Sequence, residues 1–198
     1  MLHLKPRKFT VAEYARMGDS GVIPADERVE LIEGVVLPLS PQNRRHASRT
    51  ARITTIFVTA FGSTHEIRVQ LPLTLGEYSE PEPDFALVSF EVADAAVRHP
   101  GSADLVLEIS DTSLAFDRQE KASLYAMAGI QDYWLLNLRH RRLEVRRGPA
   151  PNSEAAFGWE YSSVTIYAEG QSLSPLFAPN VIFEVSALLG PSEKVQSD

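Results

Sequence analysis

The chain has 198 residues, 44% of them apolar and 23% charged, a size and balance that suit one soluble globular domain and exclude wholesale disorder. Its formal net charge of −7 argues against coating nucleic acid or anionic lipid through bulk charge, so a polyanion has to meet a local basic patch. Cysteine is absent, which excludes disulfides, thiol catalysis and thiolate metal sites and leaves oxygen and imidazole ligands for any metal.

No run of about 18 apolar residues exists to span a membrane, and Met1 to Arg7 lacks the apolar core of a secretory signal. A cytoplasmic location is expected. We read residues 1–190 as a single domain and 191–198 as a polar, frayed tail.

Thr10 and Glu13 have the spacing of a capping box, and Val11, Tyr14 and Ala15 continue a short helix toward Gly18. From Arg28 to Leu39 two strands are expected, joined by a tight turn at Glu33-Gly34 and closed by Pro41. Asn43 to Phe61 contains no glycine or proline and places His46, Thr50, Ile53, Phe57 and Ala60 on one face of a helix. Glu66 to Glu77 alternates like a strand. Glu80-Pro81-Glu82-Pro83 is then an irregular entry, since proline cannot donate to a ladder.

Asp84 to Val88 resumes a strand, and Asp104 to Ile109 is an apolar strand of the kind buried on both faces, with a loop or short helix between them. A helix from Asp117 to Ala128 is closed by Gly129. Tyr133 to Leu138 and Arg142 to Arg147 are expected as strands paired across Arg139-His140-Arg141. Gly148 to Ser153 is expected as a loop, with further strands at Trp159 to Tyr167 and Val181 to Val185. This order suggests an α/β or α+β fold with a central mixed β-sheet flanked by helices.

Four polar residues fall where the apolar pattern calls for burial. Glu108 lies in the most hydrophobic strand, where an unpaired carboxylate would cost several kcal/mol. Lys121 shares a helix face with Leu124, Tyr125 and Ala128, so its ammonium points inward and can compensate that charge. Asp84 stands at a strand mouth, well placed for a hard cation, and His46 occupies the first turn of the inward face of its helix. Taken singly these residues also fit a buried ion pair, a turn aspartate and a core histidine. Taken together they form an oxygen-ligand divalent site with a cationic group at its edge, the arrangement that metal-assisted phosphodiester hydrolysis needs.

Pro83-Asp84 and Glu108-Ile109-Ser110 resemble the spaced acidic motifs of the PD-(D/E)XK nuclease superfamily, with Ser110 in place of the terminal lysine. More closely, Val29-Glu30-Leu31-Ile32-Glu33-Gly34, Ser40-Pro41 with His46, Pro83-Asp84, Val106 to Ser110, and Lys121 through Leu124-Tyr125, Gly129 and Tyr133-Trp134 resemble the Uma-two family of restriction-endonuclease-like proteins. That resemblance covers roughly residues 8 to 188. It implies a restriction-endonuclease-like core, a Mg²⁺ or Mn²⁺ site at Asp84 and Glu108 completed by the main-chain carbonyl of Ile109, and a lysine moved from the strand to Lys121 on the following helix. Glu30 and His46 match recurrent family positions, and Glu30 also reads as a solvent-facing strand residue.

Basic residues gather in two places, Arg44, Arg45, Arg49 and Arg52 on one helix, and Arg139, His140, Arg141, Arg142, Arg146 and Arg147 around one hairpin. Each cluster fits a solvated charged face; beside the acidic site it would instead supply phosphate contacts. Tyr133 and Trp134, with Leu135 and Leu136 beside them, read as core rather than as a base-stacking surface. There is no glycine-rich phosphate loop, no dinucleotide fingerprint and no nucleophile elbow.

The expected function is therefore a Mg²⁺- or Mn²⁺-dependent endodeoxyribonuclease acting on DNA as a homodimer. Asp84 and Glu108 hold the metal and Lys121 assists the water. The alternative is a catalytically inactive nuclease-fold module for nucleic-acid or protein interaction. A phosphohydrolase acting on a small nucleotide has no motif beyond the metal site itself.

Overall fold

A computed structural model describes residues 6–39 and 41–191, so Ser40 and the tail beyond Pro191 lie outside the described residues. The first helix, α1 (Val11–Asp19), opens on the full capping box: the Thr10 hydroxyl accepts from the Glu13 N–H while the Glu13 carboxylate accepts from the Thr10 N–H. Next comes the hairpin β1 (Val29–Ile32) and β2 (Val35–Pro38), antiparallel, with Glu33 and Gly34 both at positive φ as a tight primed turn requires. Helix α2 (Arg44–Phe61) is capped by Asn43, whose side chain accepts from the His46 N–H.

The central sheet has six strands in the order β3 (His65–Val69), β4 (Phe85–Ser89), β5 (Leu105–Ser110), β6 (Asp132–Asn137), β7 (Arg142–Pro151) and β8 (Trp159–Ala168). Only β5 and β6 run parallel, so the sheet is mixed. A parallel pair needs a crossover, and one helical run supplies it: α4 (Leu114–Phe116), a π-helical turn (Asp117–Lys121) and α5 (Ala122–Met127). A short helix, α3 (Phe90–Ala95), follows β4. A two-stranded ladder, β9 (Ser172–Leu173) with β10 (Phe183–Glu184), leads into α6 (Val185–Leu189).

Alternation along the strands sends one set of side chains to each face. Phe85, Leu87, Leu105, Leu107, Ile109, Trp134 and Leu136 pack with Ile53 and Phe57 of α2 and with Leu188 of α6. On the other face Ala86, Val88, Val106 and Tyr133 meet Leu124, Tyr125 and Ala126 of α5. Glu108 has the parity of Val106 and so looks toward α5. The fold is α+β with a mixed central sheet flanked by helices, and the expected core position of Tyr133 and Trp134 is met by complete burial of both.

Four expected boundaries need correction. The strand expected over 66–77 ends at Val69, because Gln70 turns the chain with φ +53° and Pro72 follows. The crossover helix starts at Leu114 rather than Asp117. The expected loop at 148–153 is strand as far as Pro151. Strand β6 has already ended opposite Arg147, so Pro149 and Pro151 lie where β7 has a partner on one side only and their missing N–H groups break no ladder. Finally, the strand expected over 181–185 shrinks to Phe183–Glu184, and Val185 begins a helix.

Candidate active site

Asp84 immediately precedes β4, while Glu108 and Ile109 lie on the adjacent strand β5. The two strands lock the acids together through reciprocal bonds. The Asp84 N–H donates to Glu108 Oε2 (3.1 Å), and the Ile109 N–H donates to Asp84 Oδ2 (2.8 Å). Lys121 Nζ reaches across from the end of the π-helical turn and donates to Glu108 Oε1 at 3.0 Å. It also lies 3.2 Å from Glu30 Oε2, and the same Glu30 oxygen accepts from the Glu82 N–H. His46, in the first turn of α2, brings Nε2 to 3.0 Å from Asp84 Oδ2. All five side chains singled out in the sequence therefore converge, and Glu30 is buried rather than facing solvent. Together with Ile109, all five line one cleft of about 170 Å³.

Three further residues belong to the constellation. Gln70 donates from Nε2 to Asp84 Oδ1 (3.1 Å) and Tyr125 donates from its hydroxyl to Glu108 Oε1 (2.7 Å). Asp117 is buried at the cleft wall and accepts from the Ser113 hydroxyl. None of the three is singled out in the sequence, although helical spacing carries a signal for two of them, since Lys121 sits four residues from both Asp117 and Tyr125. Nothing in the sequence marks Gln70, whose left-handed backbone aims it at Asp84. Ser110, the residue after Ile109 on β5, is buried beside Asp117.

Electrostatics follow from this crowding. Burial, together with the charges of Asp84 and Asp117, pushes the Glu108 carboxyl up to about 8 against the pull of Lys121 and Tyr125. Burial also favours the neutral form of Asp84, but His46, the Ile109 N–H and Gln70 outweigh it and hold that carboxyl below its ordinary value. Lys121 is buried too, yet Glu108, Glu30 and Asp117 keep its ammonium charged well beyond the usual lysine range. Four acids thus crowd one lysine. Oxygen donors with an excess of negative charge suit a hard divalent cation. Among the described residues no group of three or more His, Asp or Glu is disposed to hold an ion, so an ion here has to complete its shell with a main-chain carbonyl and water.

The hairpin arginines do not form a free phosphate surface. Arg118, Arg142 and Arg146 surround the buried Glu144, Arg147 binds Asp132 (2.8 Å), and Arg141 pairs with Glu169. Only Arg139 of that cluster stands by the cleft, paired with the cleft residue Asp111 at 3.5 Å. In the other cluster Arg49 is buried and binds the Pro191 carbonyl, whereas Arg44, Arg45 and Arg52 are exposed. No helix among the described residues is long and apolar enough to cross a membrane.

Among solved structures the chain is similar to one described as a "putative nuclease belonging to DUF820" from Anabaena variabilis ATCC 29413. That likeness has 14% identity and a TM-score of 0.66 over 91% of this chain and 97% of that one, and it establishes the fold. The type IIG restriction endonuclease BpuSI overlaps 58% of this chain but 13% of its own, at 19% identity and a TM-score of 0.38, too slight a likeness to bear on function. No curated protein matches the chain significantly. The Uma2 family model, described as "Putative restriction endonuclease", matches residues 11–186, a span that holds the whole sheet and every residue of the cleft. On that match the chain belongs to the Uma2 family.

Proposed function

We propose that the protein is a Mg²⁺- or Mn²⁺-dependent endonuclease that hydrolyses DNA phosphodiester bonds, working as a homodimer so that each strand of a duplex meets one site. One observation carries this reading: Asp84, Glu108 and Lys121, distant in sequence and drawn from three elements, meet at a single cleft. A divalent ion held by Asp84, Glu108 and the Ile109 carbonyl would supply Lewis acidity to a phosphate oxygen and a more acidic bound water.

The chain's own groups divide the remaining work. Lys121 stays an ammonium, so it donates to water or to the developing charge on the phosphoryl oxygens rather than accepting a proton. Glu30 and Glu108 fix its position from two sides. His46 and Gln70 hold the two oxygens of Asp84, leaving that carboxylate few orientations. Water attacks phosphorus and gives up a proton, the P–O bond to one nucleoside breaks, and the released alkoxide takes up a proton in exchange.

Plasmid DNA incubated with Mg²⁺ or Mn²⁺ is expected to be cut by the wild type and not by Asp84→Asn or Lys121→Met. Equal cleavage by all three overturns the assignment. A second reading, a nuclease fold kept as a binding module, draws on the fact that both Glu108 oxygens already have protein partners. A divalent-ion-dependent rise in melting temperature, abolished by Glu108→Gln, favours the nuclease reading over it.

A further inference from the structure

The two edges of the central sheet are protected very differently. Strand β3 is five residues long, carries Glu66 and Arg68, and ends at the left-handed Gln70. Charge, shortness and a sharp bend are the devices by which edge strands resist pairing. Strand β8 is not short, and its one charge, Glu160, stands next to its first residue. It is ten residues long, about 33 Å at roughly 3.3 Å per residue. From Tyr161 to Tyr167 it reads Tyr-Ser-Ser-Val-Thr-Ile-Tyr, with no charge, glycine or proline, and Ser162 to Ile166 are all exposed. Val164 and Ile166 are about half exposed. Among the described residues no strand pairs with its outer side.

That segment is also close to a palindrome about Val164. When two copies of β8 are laid antiparallel around a twofold axis at this residue, Val164 faces Val164, Ser163 faces Thr165, Ser162 faces Ile166 and Tyr161 faces Tyr167. Hydroxyl meets hydroxyl and aromatic meets aromatic, the pairings that stabilise sheets. Farther out, Glu160 falls opposite Ala168 and Glu169 opposite Trp159, so no like charges oppose each other despite the net charge of −7 on each chain.

We infer that the β8 edge is the contact surface for a second copy of this chain, two six-stranded sheets joining across a twofold axis at Val164 into one continuous sheet. The inference deepens the homodimer part of the proposed function, but it rests on the strand alone and its test reads mass, so a failed cleavage assay leaves it standing.

The absence of cysteine makes the test direct. Light scattering of the full chain at micromolar concentration is expected to give twice the monomer mass, and Val164→Lys or Ile166→Lys to give the monomer with an unchanged far-ultraviolet spectrum. A lone thiol from Val164→Cys meets its symmetry mate and yields a covalent dimer under mild oxidation, whereas Val97→Cys, on a fully exposed residue elsewhere, does not. A wild-type monomer, a dimer indifferent to both lysine variants, or equal cross-linking at Val164 and Val97 overturns the inference.

Discussion

At the scale of single residues, Lys121 is the pivot. Its ammonium is buried between Glu108 and Glu30, so removing it leaves two acids without their counter-charge. Breaking a buried pair from one side typically costs about 3–5 kcal/mol. Lys121→Met is therefore expected to lower unfolding free energy in urea by an amount of that order. The double variant Lys121→Met/Glu108→Gln recovers part of the loss, because a neutral amide can accept from Tyr125 without a buried charge; additive losses would contradict the coupling. Glu108 and Lys121 are legible in the sequence for one physical reason, a charged residue interrupting an apolar period. Gln70 is invisible to the same reading, since an uncharged polar residue after a strand breaks no pattern and its contact with Asp84 arises from backbone geometry.

At the scale of elements, the arginines of β7 and of the crossover helix are structural. Arg118 grips Glu144 with two bonds (2.9 and 2.5 Å), and Arg142 and Arg146 flank it. Burial favours a neutral Glu144, but hydrogen bonds from Arg118 and Asn137 and the arginine charges outweigh it, and the carboxyl is held below its ordinary value. A depressed carboxyl adds stability that is present above the ordinary carboxylate range and lost as pH falls through the folded value. Melting temperature is thus expected to drop on the acid side. Glu144→Gln, less stable at neutral pH, should show a flatter acid limb; an unchanged limb would refute this role.

Element type was readable wherever periodicity was long, as in α2, β5 and the α5 face. It failed where partners decide: β7 runs through two prolines because it outlasts β6, and β10 stops at two residues because β9 offers no more. Charge alone likewise could not separate arginines that hold β7 to its neighbours from arginines that face solvent.

At the scale of the whole molecule, an acidic chain has to present DNA with a positive locality. Within the two basic clusters, the exposed Arg44 and Arg52 of α2 and Arg139, paired with Asp111 beside the cleft, are placed to supply it. With cleavage silenced by Asp84→Asn, duplex binding measured by anisotropy should weaken steeply with salt. Arg44→Ala or Arg139→Ala should each reduce the slope of log affinity against log salt by roughly 1. A slope unchanged in both variants would place the phosphates elsewhere.

The π-helical turn between Phe116 and Ala122 holds one more residue than a regular helix would use. Excising the exposed Gln119, a single-codon deletion, would let the backbone close into ordinary helix with the segments on either side keeping their phase. Lys121 would remain on Glu108 and Asp117 at the cleft wall. A frame-preserving loss three bases long would thus straighten the crossover and leave the acids and the lysine of this pocket in place.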